Sequence, residues 1–211
     1  MCGLRTPADV AAAVASGADA IGFVLTASPR QVDVRLARSL AQDVPPHVLT
    51  VGVFAGEPVD MVGGMAIDAG VDAVQLHGGY RPSAYALLGQ LPLRLIRAVT
   101  PVEGAHLQCG AYGEDHLVVD SCQPGSGHTW AWDSIDERPT GQWMLAGGLR
   151  VDNVRQAIGR LSPWGVDVSS GVERRRGVKD AGLIRDFVSE AKAAGLDHAA
   201  GLIGAASHRP R

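Results

Sequence analysis

Short apolar runs alternate along this chain with segments of helical period, and that alternation narrows the fold more than any other feature. Seven runs read as strands: Ala20 to Leu25, Val48 to Phe54, Val71 to Leu76, Leu93 to Val99, His116 to Val119, Gln142 to Ala146 and Gly165 to Val168. Helix-period stretches lie between them at Pro7 to Ser16, Val34 to Gln42, Val59 to Ala69, Pro82 to Gln90, Asp152 to Arg160 and Ala181 to Ala194. A repeated strand-then-helix unit covers both faces of a sheet and makes its strands parallel. Thr6-Pro7-Ala8-Asp9 carries an N-cap hydroxyl, a proline at the first helical position and a carboxylate three residues on, so a helix begins at Pro7. Met1 to Gly3 then occupies the place of a preceding strand, and three residues are short for one. The expected architecture is α/β, a minimal (βα)8 TIM barrel with a truncated first strand; 211 residues lies close to the lower limit of about 200 for that fold.

Composition bounds the partners. Hydrophobic residues make up 46% of the chain and aromatic residues 5%, which suits a core of Val, Ile, Leu and Ala in one domain over residues 1–196. Residues 197–211, rich in Ala, Gly and His without periodicity, read as a disordered extension. With a net charge of -3 and only 19% charged residues there is no basic stripe, so nucleic acid is excluded as a partner. Cys2, Cys109 and Cys122 are odd in number and lack paired metal-ligand spacing, which reads as free thiols in the reducing cytoplasm. The first residues hold no signal-type apolar stretch, and no run approaches the ~18 apolar residues of a membrane span, so no membrane is expected.

The last two apolar runs open directly into small-residue loops, Gly147-Gly148-Leu149 and Ser169-Ser170-Gly171. Bare backbone there allows close approach of a ligand, and amide groups at the start of a following helix favour an anion. On neighbouring late strands of a parallel barrel this arrangement holds a substrate phosphate, which points to an enzyme acting on a phosphorylated small molecule. Reactive groups belong at the strand ends, where Cys2, Arg30, His77, Asp120 and Asp167 stand. Of these, Cys2 and Asp120 are placed to act as base and acid on opposite sides of one substrate. A thiol of pKa about 8.5 is a usable base where a cation or amide favours its anion, and a carboxyl becomes an acid where burial raises its pKa. Structural readings stand beside each role: a cap or salt bridge for Asp120, a functionless terminal thiol for Cys2. His77 has no second ligand at metal spacing and reads as a packing residue of the site floor. Arg174-Arg175-Arg176 reads as a solvated run.

Taken in order, Cys2-Gly-Leu-x-Thr6, Gly22-Phe23-Val24 with Ser28-Pro29-Arg30, Val51 to Phe54, Val74 to Gly78, Asp120, Gly125 to Thr129 with Trp132, Ala146 to Leu149, and Asp167 to Glu173 followed by Gly177-x-Lys179-Asp180 resemble phosphoribosylanthranilate isomerase. The match runs from Cys2 to about Phe187. The resemblance implies conversion of N-(5-phosphoribosyl)anthranilate to its 1-deoxyribulose isomer, an Amadori rearrangement in tryptophan biosynthesis, with no cofactor and no metal. It implies Asp120 as the acid and Cys2 as the base. Arg30 would meet the anthranilate carboxylate, Asp167 and His77 would face the substrate, and Gly127, Gly147, Gly148, Ser169, Ser170 and Gly171 would hold the phosphate. The assembly would be a monomer or a homodimer. Three places depart from the family pattern: the residues leading into Cys2-Gly3, Trp130-Ala131-Trp132, and His128 where a basic residue is usual. The first bears on function, because a base on a frayed end loses positioning; Cys122 is a conceivable substitute. The alternative is a weakened barrel that only binds a sugar phosphate. A relative of indoleglycerol-phosphate synthase would need a catalytic Lys and Glu at the strand ends, and none stands there.

Overall fold

The computed structural model describes residues 1–102, 105–121 and 138–196. Seven parallel strands, β1 (Ala20–Val24), β2 (Leu49–Phe54), β3 (Ala73–His77), β4 (Arg94–Val99), β5 (His116–Val119), β6 (Trp143–Leu145) and β7 (Gly165–Val166), pair in sequence order. Helices α1 (Pro7–Ala15), α2 (Val34–Gln42), α3 (Val59–Ala69), α4 (Pro82–Leu88), α5 (Val154–Leu161) and α6 (Ala181–Ala193) cover the outside. A small antiparallel hairpin of β8 (Glu173–Arg175) and β9 (Val178–Lys179) follows the 3-10 turn Ser170–Val172.

The eighth position is filled by the first residues alone. Cys2 N–H donates to Val168 O at 2.9 Å on one side, while on the other Gly22 N–H donates to Met1 O and Gly3 N–H to Gly22 O, both at 2.8 Å. Residues 1–3 thus tie the β1 edge to the end of β7 and close the curled sheet. The expected short first strand is present as a single bridge between Cys2 and Gly22. Where a longer strand would continue, the Met1 ammonium donates to Ala20 O at 3.0 Å and lies 3.7 Å from Asp167 Oδ1. A cavity of about 130 Å³ opens there, between Gly17–Ala20, Trp164–Val166 and the end of α6.

Alternation along the strands separates two apolar clusters. Val24, Val51, Val53, Ala73, Ile96, Ala98, Val118 and Ala146 fill the barrel interior. Phe23, Phe54, Val74, Leu76, Leu95, Leu117 and Leu145 face outward beneath the helices. Helix starts follow the sequence signals: Thr6 and Asp9 form a reciprocal capping box on α1, and Asp33 and Asp180 cap α2 and α6. No helix covers β4 between Val99 and His116 among the described residues. Arg97 fills that place instead. Its guanidinium donates to Glu114 Oε1 at 2.6 Å and to the carbonyls of His106 and Gln108 at 2.8 Å each, with the Tyr112 ring 4.6 Å away. A buried arginine with an acceptor at each of its three guanidinium nitrogens holds a loop where a helix would otherwise pack. Among the described residues no helix is long and apolar enough to cross a membrane.

Candidate active site

The carboxyl ends of the strands bring part of the expected set to one mouth, while Cys2 lines the cavity beside Met1 and Gly22. Parallel strands in register carry Asp120 after β5, Ala146 after β6 and Asp167 after β7 to one level, and the side chain of His77 at the end of β3 reaches Asp120 there. Asp120, Gly147, Gly148, Asp167, Ser169 and Ser170 line one recess there. Gly171 follows Ser170 directly, and a Cβ at that position would collide with the Leu149 carbonyl, so the turn requires glycine there. Gly127 and Cys122 lie outside the described residues.

Asp120 is gripped at both oxygens. Oδ1 accepts the Ser121 N–H at 2.7 Å, and Oδ2 lies 3.2 Å from His77 Nε2. His77 therefore has a specific polar partner, beyond the packing role expected of it. Gly147 makes the arrangement sterically feasible: a Cβ at that position would fall 2.6 Å from Ser121 N and 2.8 Å from Asp120 Oδ1, and its φ of +86° favours glycine as well.

Cys2 is half-buried, with its sulfur over Gly22, where a Cβ would meet Sγ at 3.2 Å. Burial pushes the thiol up to about 12 and the Asp167 carboxylate adds to that, while Lys179, the amino terminus and Arg30 pull it down. In this state the sulfur carries its proton at neutral pH.

Arg30 is buried and forks onto Glu173, with Nε to Oε1 at 2.7 Å and Nη2 to Oε2 at 3.1 Å. Glu173 also accepts the Lys179 ammonium at 3.0 Å and the Gly177 N–H at 3.0 Å. Burial works to raise the Glu173 carboxyl, but the Arg30 hydrogen bonds and the Lys179 charge outweigh it and hold the group at about 2. Lys179 has a side-chain exposure of 1% and reaches Ser169 O at 2.8 Å and Ser169 Oγ at 3.2 Å. Neither Glu173 nor Lys179 was singled out by type and spacing. The signal available was two opposite charges six residues apart in a short stretch just beyond the Ser169-Ser170 loop.

The family model for N-(5'-phosphoribosyl)anthranilate (PRA) isomerase matches residues 1–190. The chain belongs to the phosphoribosylanthranilate isomerase family. An isomerase of that name from Pelobacter propionicus is 38% identical over 199 residues, covering 91% of this chain and 94% of its own. The crystal structure of TrpF from Jonesia denitrificans superposes with a TM-score of 0.84 at 44% identity, covering 92% of this chain and 95% of that one. A phosphoribosyl anthranilate isomerase solved with reduced 1-(o-carboxyphenylamino)-1-deoxyribulose 5-phosphate has a TM-score of 0.77 at 32% identity, covering 91% and 96%. The curled parallel sheet with its helices is the frame this chain shares with these solved structures. The expected barrel with a truncated first strand agrees with it.

Proposed function

We propose that this chain isomerises N-(5'-phosphoribosyl)anthranilate to 1-(2-carboxyphenylamino)-1-deoxyribulose 5-phosphate by acid–base catalysis, as the names of its relatives indicate. The observation that carries the reading is the shared recess, in which the Asp120 carboxyl stands against Gly147-Gly148 and Ser169-Ser170. A carboxyl beside a cradle of backbone amides suits a sugar phosphate bound through one end and protonated at the other.

In this reading Asp120 protonates the furanose ring oxygen, the C1–O bond breaks, and the anthranilate nitrogen forms a Schiff base with C1. Cys2 then removes the C2 proton, giving the enolamine that tautomerises to the ketone. The base must lose its own proton first, and the cations that pull the thiol down, Lys179 and Arg30, sit beside it. Arg30, oriented by Glu173, is the partner for the anthranilate carboxylate, where a planar fork fits two oxygens. Asp167 faces the anthranilate nitrogen, and the amides of Gly148, Ser169 and Ser170, with Gly127, hold the phosphate.

Against the alternative of a barrel that only binds, Cys2 is anchored on both sides by backbone hydrogen bonds, which supports its positioning as a base. A tryptophan auxotroph lacking this isomerase tests the activity: expression of this chain restores growth without tryptophan. Absence of growth from well-expressed, folded protein that still binds the sugar phosphate favours the binding-only barrel.

A further inference from the structure

The charged groups behind the Ser169-Ser170 loop show an imbalance. Glu173 already receives two guanidinium N–H groups from Arg30 and the Gly177 N–H, so its charge and its oxygens are met without a second cation. Lys179 is nevertheless buried beside it, and the trio carries one net positive charge. Burying an ammonium is costly, so an extra one calls for a role other than neutralisation.

Its donors show what that role is. An ammonium has three N–H groups and no acceptor; here they go to Glu173 Oε1, Ser169 O and Ser169 Oγ. None is left for a ligand. Two consequences fall on Ser169, which lines the recess with Gly148 and Asp120. Its carbonyl is turned inward onto the cation, away from any anion in the recess. Its hydroxyl oxygen is committed as an acceptor toward Lys179, so the hydroxyl hydrogen must point elsewhere.

We propose that Lys179 is a positioning residue for the phosphate end of the substrate: by holding the Ser169 carbonyl and hydroxyl oxygen from behind, it aims the Ser169 O–H and the loop amides at the phosphate. This rests on the reading of the recess as a phosphate site. It assigns Lys179 no contact with substrate, and it explains why a lysine stands next to an acid that Arg30 already satisfies. Burial draws the Lys179 ammonium down while the Glu173 charge and hydrogen bond oppose that.

The test compares two ligands, the reduced product analogue and the same compound without its 5'-phosphate, on the wild type, Lys179→Met, Ser169→Ala and the double variant. The wild type prefers the phosphorylated ligand. Lys179→Met loses about ten- to hundredfold in affinity for the phosphorylated ligand, the range of a hydrogen bond to a charged group, and nothing for the dephosphorylated one. Ser169→Ala loses a comparable factor, and the double variant loses little more than either, because the two residues act as one unit. A merely structural lysine would weaken both ligands together. If the wild type does not discriminate between the ligands, the recess is not a phosphate site and the proposal falls with that reading. If the wild type discriminates and Lys179→Met discriminates equally, the proposal alone is overturned. Should Lys179→Met fail to fold, a Ser169→Ala variant with full phosphate preference overturns it independently.

Discussion

His77 Nε2 lies 3.2 Å from Asp120 Oδ2, while the other oxygen of that carboxylate takes the Ser121 N–H at 2.7 Å. Two partners on two oxygens fix the plane of the carboxyl, so the group meets the substrate in one orientation. His77→Ala frees one edge. The expected result is a fall in kcat of about tenfold with KM little changed, the scale of one positioning hydrogen bond. Steady-state kinetics check it, and an unchanged kcat contradicts it.

Gly147→Ala acts on the same carboxyl by a different route. The added methyl would sit 2.8 Å from Asp120 Oδ1 and 2.6 Å from Ser121 N, at a φ of +86°. Backbone strain of roughly 1–3 kcal/mol and a displaced acid are both expected. Thermal unfolding and turnover should fall together; a variant with wild-type values for both would show that the loop has room the geometry denies.

The buried thiol makes stability depend on alkaline pH. Folded Cys2 keeps its proton up to about 12, whereas an unfolded cysteine loses it near 9.0. The unfolded state therefore binds fewer protons above pH 9, and stability is full below that value and declines as pH rises toward 12. The slope is about 1.4 kcal/mol per pH unit from this group. Denaturant unfolding at pH 8 and pH 10 measures it. Cys2→Ala should flatten the decline, and an equal decline in the variant would place the cause elsewhere.

At the acid end the sign reverses. Glu173, at about 2 when folded against 4.5 in its ordinary state, stabilises the fold above 4.5, and that contribution is lost as pH falls through 4.5 toward 2. Glu173→Gln should leave less acid dependence of stability in that window and, by leaving Arg30 and Lys179 without their shared anion, lower the melting temperature at pH 7. Acid titration followed by circular dichroism distinguishes the two proteins.

Much of the frame was legible in the residues. The seven strands and six helices fall within a few residues of the apolar and helical periods, because a parallel barrel strand is apolar on both faces and leaves a run that local pattern detects. Cys2, His77, Asp120 and Asp167 are legible because they stand at strand ends, where a parallel barrel places its reactive groups. What local pattern does not carry is partnership across the chain. Arg30 and Glu173 are separated by 143 positions, and His77 and Asp120 by 43, so neither pair leaves a periodic trace. Arg97 was missed for the same reason: inside an apolar strand it looks like an interruption until the loop carrying Glu114 folds over it. The need for glycine at Gly171 is hidden in the same way, because the clash an added Cβ would make is with the Leu149 carbonyl of another loop.

The most direct test of the acid–base account is the decay of anthranilate fluorescence from freshly formed N-(5'-phosphoribosyl)anthranilate, followed with the wild type, Asp120→Asn and Cys2→Ala at matched concentrations. Groups of this kind contribute about 10² to 10⁴ to turnover, so each variant should lose at least two decades in kcat with KM within a few-fold of the wild type. Turnover by either variant at the wild-type rate would contradict the assignment.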